Sequence, residues 1–145
     1  MGVEPAGSRS VHATDIETVR AGYERWNNGD LPGLSKLFAE DIVYQTAPEW
    51  PGQRVYRGAS AVTSFLENEV APTIGLRPVT IAGLETIGQE VLIELQVTTR
   101  GFLSGLEMEN MSLYHLALIE DGVVRRVRVY LDRDQAIRVA EAGEG

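Results

Sequence analysis

Apolar side chains recur at Ile16, Val19, Tyr23 and Trp26, the three-and-four spacing of one helix face, with Glu17, Arg20, Glu24 and Arg25 between them. Thr14 and Asp15 are good caps for this helix, and Glu17 follows in the first turn, where the helix dipole favours a negative charge. Asn28-Gly29 supplies the stop, because glycine enters the left-handed conformation without a Cβ clash. Asp30 caps a short second helix with Pro32 early, where a missing N–H breaks no bond, and Leu34, Leu37 and Phe38 form its buried side. The period then changes to two: Ile42, Tyr44 and Thr46 share one face of a strand. Pro48 to Gly58 is a loop by its prolines and glycines, yet it carries Trp50, Arg54 and Tyr56. A third helix is expected from about Ala59 to Val70, with Val62, Phe65, Leu66 and Val70 inward and Pro72 as its end.

Strand patterns fill the remainder: Arg77–Thr86, Glu90–Gly101, Gly105–Glu120 and Val123–Asp132, running into a short helical pattern. Ile87-Gly88-Gln89 and Asp121-Gly122 are hairpin turns, the second a type I′ pair. Helices followed by a meander of long strands predict an α+β fold. A straight Gly105–Glu120 strand spans about 50 Å at ~3.3 Å per residue, whereas a domain of this length has a radius of gyration of only about 15 Å. The strand must therefore curve or bulge. The expected architecture is a cone-shaped barrel, with N-terminal helices packed in a curved, mostly antiparallel sheet that leaves one open mouth.

Length and charge narrow the functions this shape can serve. The 145 residues make one domain, able to bury roughly two thirds of its unfolded surface. A net charge of −8 argues against nucleic-acid partners and anionic membrane surfaces. The absence of cysteine excludes disulfides, thiolate metal sites and a cysteine nucleophile. No run approaches the roughly 18 apolar residues of a membrane span. Residues 1–14 lack the apolar stretch of a signal peptide and are expected as a flexible lead to a domain over 15–141, with 142–145 as a tail and a cytoplasmic location.

Alternation places His115 on the inward face with Leu113, Ala117 and Ile119. An imidazole there can act as a general base or hold a ligand oxygen, or it can be a neutral core group tied to a backbone carbonyl. Glu94, Glu107 and Glu109 are the carboxylates that could partner it. Glu94 has outward parity; Glu109 shares the parity of His115 but lies about 20 Å away along a straight strand. Tyr23, Trp26 and Tyr44, on inner faces of convergent elements, either line a ligand pocket or are plain core. Trp50 is a lid over the mouth or a cover for core. On the last strand Val127, Val129 and Leu131 face inward while Arg126, Arg128 and Tyr130 face outward, solvated or stacked on a two-fold partner through Tyr130. The pocket so defined is lined by Trp26, Tyr44, Thr46, Leu113, His115 and Val129 and suits neutral ligands, because desolvating a phosphate without a paired arginine is costly. Arg125 has inward parity but adjoins the hairpin turn and should reach solvent.

Two stretches carry a family resemblance. Glu24 to Tyr44 reads Glu-Arg-Trp-Asn-Asn-Gly-Asp-Leu through Leu-Phe-Ala-Glu-Asp-Ile-Val-Tyr, and Leu113 to Val139 holds Leu-Tyr-His-Leu-Ala-Leu-Ile-Glu-Asp-Gly and the strand after it. Together they resemble the nuclear-transport-factor-2-like superfamily, most closely its SnoaL-like branch of small bacterial proteins, over about Asp15 to Ala140. The resemblance implies the cone, a hydrophobic pocket, and dimerisation through the outer sheet face. It implies an active-site histidine at His115, as in the SnoaL-type polyketide cyclases. Other family positions depart. The ketosteroid isomerase tyrosine falls on Gly22, beside Tyr23; its base aspartate on Thr46; its protonated aspartate near Tyr114. The last-strand aspartate of the cyclases and of limonene-epoxide hydrolases falls on Val129, and the hydrolase arginine–aspartate pair on about Leu95 and Val97.

There is no Gly-x-Ser-x-Gly, no phosphate-binding glycine loop, and the two histidines are too far apart in the chain for a metal cluster. The expectation is a cofactor-independent acid–base enzyme (cyclase, isomerase or epoxide hydrolase) acting on a hydrophobic, oxygenated small molecule such as a polyketide or terpenoid. His115 moves the proton, Tyr44 holds an oxygen, Glu109 is the candidate carboxylate, and Tyr23, Trp26, Thr46, Trp50, Leu113 and Val129 bind the ligand. The alternative is a non-catalytic binding or scaffolding domain of the same fold.

Overall fold

A computed structural model describes residues 3–50, 52–74, 79–99 and 109–142. Helix α1 spans Val3–Asn27 and α2 Leu31–Ser35; strand β1 is Phe38–Gln45 and β2 Val55–Arg57. Helix α3, Ala59–Phe65, continues through a π turn, Leu66–Val70, into α4, Ala71–Ile74. Strands β3 (Thr80–Ile87), β4 (Glu90–Thr99), β5 (Glu109–Glu120) and β6 (Val123–Tyr130) follow, and α5, Arg133–Glu141, ends the order. The six strands form one open, curved sheet in the order β2-β1-β6-β5-β4-β3. Every neighbouring pair is antiparallel except β1 and β6. The expected α+β cone is the observed architecture.

Helix α1 begins at Val3, so Thr14 and Asp15 lie inside it rather than capping it. Pro5 falls in the first turn, where the absent N–H costs no hydrogen bond, and the Thr18 hydroxyl donates to the Thr14 carbonyl at 3.1 Å, a helix-interior bond. The other end is as expected. Gly29, at φ 73°, ends α1 in a Schellman motif: Asp30 N–H donates to Arg25 O at 2.8 Å and Gly29 N–H to Trp26 O at 3.0 Å. Asp30 caps α2 through the Gly33 N–H at 2.9 Å. Asn27 then clamps the chain entering β3, donating to Val79 O at 3.0 Å and accepting from Val79 N–H at 2.8 Å. These ties fix the angle at which α1 lies in the sheet.

Two further element boundaries differ from the sequence reading. Strand β1 starts at Phe38, which Val124 draws into the sheet by pairing with it and by donating its N–H to the adjacent Leu37 carbonyl at 2.7 Å. Pro72 does not end the third helix. Ala71 N–H reaches back to Leu66 O, so the π turn resets the hydrogen bonds and leaves proline in the first turn of α4, where none is missing. The start of the expected Gly105–Glu120 strand lies outside the described residues. Both hairpin turns form: Asp121 (φ 54°) and Gly122 (φ 78°) make the type I′ pair, and Gly88 takes φ 64°.

Alternation sorts the sheet into two unlike faces. The concave face packs against α1, α2 and α3 through two apolar clusters, one around Ile93, Leu95 and Val97, the other around Ile42, Val62 and Phe65. The convex face is covered by α5, whose Ala136 and Ala140 sit on Leu92, Leu116 and Tyr130. Tyr130 is 4% exposed beneath its own chain's helix, so the expected stack on a two-fold partner is replaced by an intramolecular contact. Arg126 and Arg128 are likewise not solvated: both bind Glu90, at 3.0 and 2.9 Å.

Candidate functional site

Where the two concave-face clusters meet, the core is hollow. The cavity has a volume of about 160 Å3, and the loop that follows β1 contributes Thr46, Ala47 and Trp50 to its wall. Trp26, Val70, Leu113 and Val124 belong to both clusters and form the seam. All lining residues are uncharged side chains, so the described wall carries neither a carboxylate nor a basic nitrogen other than the imidazole of His115.

The polar groups come from separate elements. Tyr23 projects from α1, Tyr44 from β1 and His115 from β5. The Tyr23 hydroxyl and His115 Nδ1 are 2.5 Å apart, with the two rings tilted at 35°. Burial lowers the His115 pKa to about 4, so the imidazole is neutral across the physiological range. Burial, and secondly the nearby Tyr44, pushes the Tyr23 phenol well above its usual value, and burial pushes Tyr44 up too. Both phenols are therefore protonated donors. Tyr44 is 8% exposed, and among the described residues no group bonds its hydroxyl. That hydroxyl is not sealed within the protein and can donate to a ligand in the cavity.

The structure brings Tyr23, Trp26, Tyr44, Thr46, Trp50, Leu113, His115 and Val129 onto one wall. Thr46 contributes its methyl only, since its hydroxyl is held by the Gln53 and Arg54 carbonyls at 3.2 Å. Trp50 packs edge-on against Phe65 with centroids 5.9 Å apart. Val129 is the direct cross-strand neighbour of His115. Glu94 faces outward over Gly83 on the convex side. Glu109 pairs with Thr99 where β5 begins, but its side chain and the whole of Glu107 lie outside the described residues. Among the described residues the side-chain partner of His115 is thus the Tyr23 phenol. Each was legible as an inward-facing residue; what the sequence lacked was the helix-to-sheet packing that joins positions 23 and 115.

Residues 19–127 match the family model described as the SnoaL-like domain. No curated protein matches in sequence. Among solved structures, an NTF2-like protein of unknown function from Burkholderia pseudomallei superposes with a TM-score of 0.67 at 19% identity, covering 88% of this chain and 97% of that one. TerC, co-crystallised with polyporic acid, gives 0.69 at 17% identity over 88% and 98% of the two chains. A protein of ketosteroid isomerase-like fold from Catenulispora acidiphila, in complex with trimethylamine, gives 0.65 at 19% over 88% and 92%. At these identities the likeness is one of fold. Among the described residues no helix is long and apolar enough to cross a membrane.

Proposed function

The chain belongs to the SnoaL-like family, and from that premise we propose that it performs cofactor-independent acid–base chemistry on an uncharged, largely apolar small molecule bearing a ketone or hydroxyl oxygen. The observation that carries this reading is the Tyr23–His115 contact of 2.5 Å inside an uncharged cavity, with the Tyr44 hydroxyl left for the ligand. The ligands named for TerC and for the Catenulispora acidiphila protein accord with a small-molecule pocket in this fold.

The imidazole has two neutral tautomers, and they do different things. With the proton on Nδ1, His115 donates to the Tyr23 oxygen, Nε2 keeps its lone pair for a substrate proton, and the Tyr23 O–H turns into the cavity. A ligand oxygen favours this tautomer by giving that O–H an acceptor. A ketone whose oxygen sits on the phenols then presents an adjacent C–H to Nε2. The proton moves to Nε2, the C–H electron pair becomes the new C=C bond, and the carbonyl π pair moves to oxygen as an enolate held by Tyr44. Returning the proton at another carbon gives an isomer; attack by the enolate carbon on an electrophile within the same molecule closes a ring. The imidazolium is costly alone in this cavity, but it forms together with the enolate, and each charge offsets the desolvation of the other.

The absence of a carboxylate from the described wall favours a second reading, a non-catalytic binding domain. There Tyr23 O–H donates to Nδ1, Nε2–H donates to a ligand oxygen, and no base remains. The test is exchange of α-hydrogens for deuterium in a panel of uncharged ketones in D2O, followed by NMR. The enzyme reading expects exchange that His115→Gln lowers by about 100-fold or more and Tyr44→Phe by a comparable factor. Exchange at the uncatalysed rate with every ketone that binds would establish the binding reading instead.

A further inference from the structure

The cavity's two halves are not alike, and the difference constrains what enters. One half is aromatic. Phe65 is stacked on Tyr56 with centroids 4.3 Å apart and 21° between planes, tilted on Tyr44 at 5.6 Å, and met edge-on by Trp50 at 5.9 Å. Phe65, Tyr44 and Trp50 also face the cavity. The other half is floored by the aliphatic Ile93, Leu95, Val97 and Met111, with Tyr23 and Trp26 packed over them. The oxygen-handling groups are divided between them: Tyr44 belongs to the aromatic cluster, while Tyr23, which holds His115, packs on the aliphatic one.

We infer that the ligand is an uncharged single-ring aromatic molecule with its oxygen on a short arm beside the ring; this rests on the neutral-ligand reading above and makes it narrower. Volume sets the size. The cavity of about 160 Å3 is close to the ~150 Å3 of cavities that hold one benzene, which leaves room for a ring and a few further atoms but not for a fused polycycle. The wall sets the ring type. Aromatic rings that meet edge-to-face or offset gain attraction beyond the area they bury, through the ring quadrupole, and a saturated ring does not. The division of polar groups sets the orientation: ring against Phe65 and Trp50, oxygen at Tyr44, and the reacting carbon of the arm toward His115 and the aliphatic half.

Acetophenone and cyclohexyl methyl ketone separate these ideas, because they share the oxygen and nearly the same size. Burial of apolar area alone ranks the saturated ring equal or better. Calorimetric titration is expected to give acetophenone about tenfold tighter binding. Phe65→Leu and Trp50→Leu, each checked for a native melting transition, should shrink that ratio towards one while leaving cyclohexyl methyl ketone within about threefold of its original Kd. 9-Acetylanthracene should fail to bind. Equal Kd values for the two methyl ketones, or binding of acetylanthracene as tight as that of acetophenone, overturns the single-ring aromatic assignment. In either case, if Tyr44→Phe still weakens both methyl ketones, the neutral-ligand reading stands without it. If neither ketone binds, or benzoate binds better than both, the two fall together.

Discussion

On β6 the side chains of Arg126, Arg128 and Tyr130 go to the convex face and those of Val127 and Val129 to the concave one, so a single strand serves two surfaces with opposite treatment of polarity. The convex face keeps its charges. Glu90 holds both guanidiniums, and α5 covers the apolar positions beside them. The concave face is hollow, and the titratable groups among its described lining residues are ones that stay neutral, an imidazole and two phenols. A hollow has no built-in counter-ion, and a charge there would be desolvated without repayment. The convex face can carry ions because the Glu90 carboxylate answers both guanidiniums; the concave face leaves the Tyr44 hydroxyl for something that arrives.

The largest expected effect tests the convex side. Glu90→Gln strands the buried Arg128 and takes one partner from the half-buried Arg126, and urea denaturation should show a loss of about 3–5 kcal/mol, with ketone binding by the residual folded protein unchanged. A loss below about 1 kcal/mol would mean that the cluster is as solvated as a surface pair, and the contrast between faces would collapse.

Next is the pH response of the concave side. His115 titrates at about 4 when folded, against 6.5 for the free group. The unfolded chain therefore takes up this proton first. Its contribution to stability is complete above about pH 6.5 and is lost as pH falls towards 4, by at most roughly 3 kcal/mol, less if water enters the cavity. Subtracting the stability profile of His115→Gln from that of the native chain isolates this slope from the carboxylates. A difference that is flat between pH 4 and 6.5 would show the imidazole to be well hydrated.

A smaller effect has the opposite sign. Tyr44→Phe removes a cavity-lining hydroxyl that no described group bonds and that is not fully sealed from water, so the ligand-free protein should gain less than about 1 kcal/mol, read as a slightly higher melting temperature, even as ligand affinity falls. Destabilisation on this change would reveal a partner for that hydroxyl. Least of all is expected from Arg125→Ala. Its pairs with Asp41 and Glu120 lie at the exposed rim, where about 0.5 kcal/mol or less is at stake in denaturant melts.

The sequence made the sheet readable because alternation and turn chemistry are local. Asp121-Gly122 pairs Glu120 with Val123, and a bulge at Arg125 then shifts the β5–β6 register by one residue, which sets Val129 opposite His115. The Schellman stop at Gly29 and the cap at Asp30 are local for the same reason. What stayed hidden depends on elements that meet only in three dimensions. Tyr23 and His115 were each expected to face inward, but their bond depends on the depth at which α1 lies in the sheet. Glu90 shares the outward parity of Arg126 and Arg128, a signal that could have paired them once β4 and β5 were aligned. The covering of Tyr130 by α5 was harder to read, because the helix makes that contact with small residues, Ala136 and Ala140, that carry little hydrophobic signal. The π turn, which keeps Pro72 in the helix, has no sequence mark at all.

Both tryptophans of the chain, Trp26 and Trp50, line the cavity, the first at the seam between its halves and the second on the aromatic wall. The intrinsic indole emission of this protein therefore originates entirely at the site where a ligand would sit. An aryl ketone entering the cavity should quench that light by contact, and a saturated alcohol should only shift its colour as water leaves. Replacing Trp50 with phenylalanine would leave Trp26 as a single emitter, so that the two halves of the pocket could be followed separately in solution without any attached dye.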